Sequence, residues 1–505
     1  MTRRIRLRPM DAAFLLAETR STPMHVAGLQ IFRVPEGASP HFVSELYDYM
    51  RGFPVVTEPF NYRLDRRLSG KLLPQWEIRD DVDLDYHLRY SALPHPGGER
   101  ELGILVSRLH SIHMDLTRPL WEMHLIEGLQ GNRFAIYIKL HHALVDGTAA
   151  MRLMTISNDP ENGFAPPVWS ADLGREFSHR ASDAGLIERA SEVLQSELAG
   201  LPSLTRGVAR SARALLGLPD SGELTSIGEA PRTILNVKIS GQRRVATHRV
   251  ELARIKSIAR AAGGTVNDIV LTACGGALRR YLSGLGKLPD ASLIASVPVA
   301  LMREEREAAG NAVSNFLARL GTDIADPRRR FEVVKRSSEA GKSHLREMTE
   351  TAIANYTMIV AVPVLITGRF PDLGTLARPL FNVIISNVPG PRARLRFHGA
   401  EMEAFYPVSQ IGHGLALNIT VIGYADQLTF GLVACRDRLP SMQRLAVALG
   451  EAVEELEAAF PTPTPGKPVP TGRRKKTRAS RSGAGPRSGQ ATRGRSRAKS
   501  RSAPS

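Results

Sequence analysis

Segments patterned as strands and segments patterned as helices interleave on both sides of one long stretch, residues 158–232, that carries no strand pattern of its own. That stretch opens with the polar, proline-rich SNDPENGFAPPVW after Ile156. It turns helical from about Ala181 to Leu216 and closes on the turn-rich LPDSGELTSIGEAPRT. At 505 residues the chain exceeds what a single core usually serves. The pattern therefore predicts an α/β protein with one mixed-sheet domain over residues 1–157, a long connector over 158–232 and a second domain over 233–460.

In the first half, Asp11 to Glu18 reads as a short helix and His25 to Arg33 as a strand. Two further strand-like runs in WEMHLIEGLQGNRFAIYIKLHH flank Gln130-Gly131-Asn132, a hairpin signal. In the second half, strands are expected at Leu235 to Ser240 and Arg244 to Val250. A helix follows from Leu252 until Gly263-Gly264 stops it, and another starts at TVND. Strands return at SLIASVPVAL, FNVIISNV, LALNITVIG and QLTFGLVAC, and Met442, Leu445, Leu449, Val453 and Leu456 mark a last amphipathic helix.

Residues 461–505 hold thirteen of the Lys and Arg and no Asp or Glu, which leaves +4 of the formal +17 for the rest. This tail has no apolar periodicity and is expected to be disordered. Its charge suits an anionic membrane or lipid-droplet surface, with nucleic acid as the rival ligand and simple solubilisation as the plainest role. The two cysteines, Cys274 and Cys435, have no metal-type spacing and predict no disulfide framework, in keeping with a reducing cytoplasm. The N-terminal segment carries Asp11 and Glu18 where a signal peptide needs an unbroken apolar core. The apolar run from Tyr356 to Thr367 is shorter than the ~20 residues of a spanning helix. Any membrane association is thus expected to be peripheral.

The chemistry concentrates in KLHHALVDGTAAM, residues 139–151, where paired histidines end a strand and a helix begins at Gly147. Alternate side chains of a strand share a face. His142 falls with Phe134, Ile136, Ile138 and Leu140 and is expected to point into the apolar interior, while His141 falls with Ala135, Tyr137 and Lys139. A neutral imidazole there can take a proton from a hydroxyl or thiol near neutral pH; both histidines could equally be packed and hydrogen-bonded. A zincin site does not fit, because its histidines lie four apart on a helix, and no G-x-S-x-G elbow supplies a serine nucleophile. Asp146 stands where it could cap the following helix or pair with a cation.

HHALVDG resembles the HHxxxDG motif of CoA-dependent acyltransferases. With RPMDAAFLLAETRSTPMHVAGLQIF (8–32), RPLWEMHLI (118–126), TVNDIVLTACGGALRRYL (265–282) and FNVIISNVPGP (381–391), the chain resembles the bacterial wax ester synthase/acyl-CoA:diacylglycerol acyltransferase family over about residues 5 to 457. The resemblance implies two domains of the chloramphenicol acetyltransferase type with the active site in a tunnel at their junction. It implies direct transfer of a long-chain acyl group from acyl-CoA, a co-substrate, to diacylglycerol or a long-chain alcohol, with no cofactor or metal. His142 would be the general base and His141 its companion. Asp146 would pair with an arginine, for which Arg303 stands one place later than the family pattern expects. Gly147, Pro119, Leu120, Trp121, Asn267 and Asp268 would line or support the substrate site. For Trp121, core packing competes with substrate contact. A T-x-x-D capping box from Thr265 competes for Asp268, and Asn267 is left between a site donor and a plain helix-start residue. A non-catalytic droplet coat and a condensation-type enzyme using a carrier-protein thioester are the rival functions.

Overall fold

The computed structural model describes residues 3–7, 9–65, 74–145, 147–158, 166–171, 225, 228–300, 313–347, 372 and 378–461. Asp146, Arg303, the connector helix expected near 181–216, the apolar run 356–367 and nearly all of the tail lie outside them.

The described residues build two six-stranded mixed sheets and one small sheet. In chain order the strands are β1 (Arg4–Arg6), β2 (His25–Arg33), β3 (Tyr62–Asp65), β4 (Gln75–Ile78), β5 (Leu88–Ala92), β6 (Trp121–Leu129), β7 (Arg133–His141), β8 (Arg243–Glu251), β9 (Ile294–Ala300), β10 (Val313–Arg319), β11 (Val383–Val388), β12 (Arg396–Phe397), β13 (Ala400–Val408), β14 (Leu417–Tyr424) and β15 (Gln427–Cys435). One large sheet runs β12-β13-β2-β7-β6-β5, the other β10-β9-β11-β14-β15-β8, and β1-β4-β3 form the small one. β5 and β6 pair parallel, as do β9, β11 and β14, and the remaining neighbours are antiparallel.

The β6–β7 hairpin forms where expected. Gly131 and Asn132 both take positive φ at its tip, the conformation that glycine and asparagine reach most easily. Strand His25–Arg33 and helices Pro9–Ala17, Gly147–Ser157, Leu252–Ala262, Val266–Gly284 and Met442–Ala459 also appear where the sequence places them. Gly263 ends the Leu252–Ala262 helix in the left-handed conformation, φ 66°. Leu235 to Ser240 is not a strand. Leu235 and Ile239 are buried, and the backbone is engaged piecemeal with the 412–416 loop, so no ladder develops: the Leu235 and Val237 carbonyls accept from Ala416 and Gly414, and the Ile239 N–H donates to His413 Nδ1.

The sheets do not divide as the two halves of the chain do. β13 comes from the second half yet pairs antiparallel with β2 across Glu401–Val408, adding itself to the first-half sheet. Gly431 of β15 passes directly under Pro407 of β13 at this crossover. Two apolar clusters result. One gathers Leu29, Ile31, Ala135 and Tyr137 with the second-half core; the other gathers Phe32, Trp121, Phe134, Ile136 and Leu140 with Phe405 and Tyr424. Strand β7 is therefore covered on both faces. Cys274 and Cys435 are both free and buried. No described helix is long and apolar enough to cross a membrane.

Candidate active site

The paired histidines stand at the end of β7, the strand between β2 and β6. Three backbone bonds fix the turn that follows: His141 N–H donates to Leu120 O at 3.0 Å, His142 N–H to Met24 O at 2.8 Å, and Leu144 N–H to His141 O at 2.9 Å. The Pro-Leu-Trp segment thus holds the strand end from one side and the start of β2 holds it from the other.

The strand ends at His141, so alternation does not carry through to His142. Both faces are also interior. The fully buried imidazole is that of His141, on the face of Tyr137 and Lys139, whereas His142 lies in the turn, half-buried, with its ring stacked on Phe14 at 4.1 Å between centroids. The parity expectation, which turned His142 inward, is corrected on this point: alternation cannot be extended past the last ladder residue, and it identifies a single interior only in a sheet with one wet face.

His141 is committed at both ring nitrogens. Ala143 N–H donates to Nδ1 at 3.0 Å, so the ring proton sits on Nε2 and is given to Glu18 Oε2 at 2.7 Å. Glu18, just past the Pro9–Ala17 helix, also meets His113 Nδ1 through Oε1 at 3.1 Å. Burial pushes the Glu18 carboxyl up, but the hydrogen bonds and charges of His113 and His141 outweigh it and hold the group at about 2.

Around this pair lies a buried polar layer on the same face of β7. Lys139, fully buried, donates to Glu122 at 3.1 Å and to the carbonyls of Leu109 and Ile112 at 3.3 and 3.0 Å. Three acceptors around one nitrogen require the three hydrogens of an ammonium. His110 Nε2 donates to Ser409 O at 3.1 Å, across to the second half, and its Nδ1 accepts from Tyr137 OH at 2.9 Å. Burial brings the His110 ring down to about 3, so it is neutral. His25 Nε2 donates to His110 O at 2.9 Å, and burial holds that ring well below its usual range.

The other expected site residues fall into separate settings. Leu120 and Trp121 are fully buried. The Trp121 indole donates to Phe60 O at 2.8 Å and stacks on His87 and Trp169, a packed core position. Pro119 leads into that segment, and its carbonyl accepts from Trp121 N–H at 3.0 Å. Gly147 begins the helix after the turn. Asp268 completes a capping box with Thr265, its Oδ2 accepting from Thr265 N and Oγ1 at 2.9 and 2.7 Å, and its Oδ1 lies 3.8 Å from Lys342 Nζ. Asn267 Oδ1 accepts a long bond, 3.5 Å, from Asn387 of β11, which brings two of the sequence motifs together. The sequence assigns no site role to Glu18, His113, His110 or Phe14, although Glu18 and Phe14 lie inside the 8–32 motif. Among the described residues no cluster of three or more His, Cys, Asp or Glu could hold a metal ion.

Known proteins resemble this chain in sequence and fold. Residues 7–270 match the wax ester synthase/diacylglycerol acyltransferase catalytic domain, and residues 309–457 match the C-terminal domain of the same family. A Mycobacterium tuberculosis H37Rv protein, provisionally named a diacylglycerol O-acyltransferase, is 42% identical over 484 residues, covering 90% of this chain and 97% of its own. The O-acyltransferase WSD of Acinetobacter baylyi is 38% identical over 461 residues, with 90% and 97% covered. The wax ester synthase/diacylglycerol acyltransferase of Marinobacter aquaeolei VT8 superposes with a TM-score of 0.73 at 39% identity, covering 90% of this chain and 99% of that one. The first condensation domain of the CDA synthetase shares the fold, at a TM-score of 0.52 and 18% identity over 91% and 97% of the two chains. The chain belongs to the wax ester synthase/diacylglycerol acyltransferase family and is an acyl-CoA O-acyltransferase of that family.

Proposed function

We propose that the protein transfers a long-chain acyl group from acyl-CoA to the hydroxyl of a diacylglycerol or a long-chain alcohol, with His142 as general base. The observation that carries this reading is the contrast between the two imidazoles. His141 is fully buried, with both nitrogens committed to Glu18 and Ala143, whereas His142 is half-buried in the turn against Phe14. In this reading the less buried His142 is the ring that meets the substrate hydroxyl. His142 takes the hydroxyl proton as the oxygen attacks the thioester carbonyl; the carbon–sulfur bond breaks, the ester forms, and the imidazolium returns its proton to the departing CoA thiolate. Asn267, oriented by Asn387, is the candidate donor to the oxyanion that forms in between.

In this reading the site lies where residues 1–157 adjoin residues 233–460, a junction that the His110–Ser409 bond and the β2–β13 pairing support. Leu120 and Trp121 act by holding the strand end, and Gly147 by starting the helix behind the turn. The basic tail brings the enzyme to an anionic lipid surface, where its apolar substrates reside.

Thiol release from palmitoyl-CoA, measured with and without 1,2-dioleoylglycerol or hexadecanol, tests the assignment. His142→Ala is expected to lower the acceptor-dependent rate by ~10² to 10⁴, and His141→Ala to lower it less while also lowering stability. Near-parental turnover in His142→Ala would remove the base from the mechanism.

A further inference from the structure

The Glu18 carboxylate bridges two histidines, and hydrogen counting assigns a different protonation state to each. His113 directs Nδ1 at Glu18 Oε1 and Nε2 at the carbonyl oxygen of Arg20, both at 3.1 Å. Neither partner has a hydrogen to give, so both ring nitrogens must donate and the ring is an imidazolium. His141 accepts at Nδ1 from the Ala143 N–H and donates only through Nε2, so it is neutral. One buried negative charge is therefore balanced by the outer histidine and not by the inner one. The His113 side chain is about a third exposed (34%), Glu18 only 7% and His141 not at all, so the three run from solvent to the foot of the turn.

We propose that Glu18 and His113 are positioning residues of the catalytic turn, the His113 cation balancing Glu18 so that Glu18 holds His141 as the neutral Nε2–H tautomer and His141 Nδ1 holds Ala143 beside His142. The inference rests on the reading of His142 as the base. Without the outer cation, the buried carboxylate draws a proton onto His141. Nδ1 then carries hydrogen, the Ala143 N–H loses its acceptor, and the turn carrying His142 shifts.

The charged and titratable groups facing the bridge come from three directions. Arg243, at the start of β8, donates to Ser21 O at 2.8 Å and opposes the His113 charge. Lys139 lies on the same face of β7 and is held by Glu122. His25, opposite His141 on β2, is neutral by burial. The bond to Glu18 prevails over burial and over Arg243, and the His113 ring is raised above its usual range.

Two measurements on the full chain test this. Ring-nitrogen NMR of the histidine-labelled protein at pH 7, assigned through His113→Gln, should show His113 protonated at both nitrogens and His141 at Nε2 alone. Glu18→Gln should turn His113 neutral at the same pH. In kinetics, His113→Gln should move the acid limb of kcat upward by about one pH unit, the effect of removing one nearby charge, with KM for palmitoyl-CoA within about twofold, and His113→Lys should return the limb toward its parental place. A neutral His113 in the parent at pH 7 overturns the proposal even if Glu18→Gln fails to fold. So does a kcat–pH profile of His113→Gln that superimposes on the parent's. If the protein turns over no acceptor at all, the reading of His142 falls, while the ring-nitrogen result still decides the protonation pattern.

Discussion

Replacing Gly431 by alanine tests the crossover that seats β13 in the first-half sheet. An ideal Cβ at this position would stand 1.6 Å from the carbonyl oxygen of Pro407 and 2.8 Å from its carbon. Both are backbone atoms, so no side chain can rotate away, and the oxygen would need to retreat by more than an ångström. Neither strand has that freedom. Gly431 is laddered to Thr420 of β14 and Thr247 of β8, and Pro407 is laddered to Gly28 of β2. Gly28 is itself crowded, because a Cβ there would meet the Phe405 ring at 2.6 Å. Ordinary overpacking costs about 1 to 3 kcal/mol by rotamer adjustment; a backbone collision with no such escape belongs at or above the upper end, about 3 to 5 kcal/mol. Gly263→Ala is the control: φ is 66° but nothing stands within 4 Å of a Cβ, so only the left-handed conformation is penalised, by about 1 to 2 kcal/mol. Urea unfolding of both variants at matched m value gives the comparison. If Gly431→Ala shifts the midpoint no more than Gly263→Ala does, the strands are not in contact as described.

Three further outcomes are expected. Trp121→Phe removes the indole donor to Phe60 O and should lower stability by about 1 to 3 kcal/mol with KM for acyl-CoA little changed; a large rise in KM would make Trp121 a substrate contact. Because the folded-state Glu18 carboxyl is held at about 2 against an ordinary 4.5, it contributes stability that is fully present above 4.5 and lost as pH falls toward 2, on the order of 3 kcal/mol. His113, raised above 6.5 by its bond to Glu18, contributes stability present below that value and lost as pH rises through its folded pKa, so urea midpoints of Glu18→Gln should show a shallower acid limb, from the missing carboxylate, and a smaller loss above neutral pH, from the unpartnered imidazole, than the parent's. A chain ending at residue 460 should keep its turnover on dispersed substrate but bind phosphatidylserine vesicles less, the difference shrinking with added salt; unchanged vesicle binding would remove the tail from membrane attachment.

The local elements were legible where a period runs unbroken to a stop signal. His25–Arg33 is bounded by polar residues, the β6–β7 hairpin turns on Gly131-Asn132, and the Leu252–Ala262 helix stops at Gly263. What escaped were elements defined by distant partners. Ala400–Val408 carries a proline and two glutamates and reads poorly as a strand alone, yet it pairs along most of β2, nearly four hundred residues earlier in the chain. Glu18 reads in sequence as the last residue of a short helix. Its place under His141 depends on the sheet that brings residues 18, 113 and 141 together, and spacing in sequence carries no trace of that. The motifs pointed to His142, but which histidine is buried could not be derived from a parity rule that supposes a single interior.

The polar layer under β7 ties the second half of the chain to the strand that carries the paired histidines of the first. A buried ion pair rarely stabilises a fold relative to apolar residues of similar volume, and breaking one is costly. Here Glu122–Lys139 and Glu18–His113 are each closed by counted hydrogens, and the layer is sealed from beyond by Ser409, which follows β13 and accepts from His110. Ser409 is in turn tied by its hydroxyl to Thr420 of β14, at 2.6 Å, and Thr420 to Asn418 at 3.1 Å. The chain of donors thus runs from the strand that ends on His141 into the parallel core of the second sheet. Hydrogen bonds have directions that hydrophobic contacts lack, so this path constrains how the two sheets meet as well as holding them together. An apolar layer would bind the halves as firmly and leave the turn at 141–145 free to slide, which the proposed role of His142 as a base acting on a hydroxyl and a thioester would not tolerate.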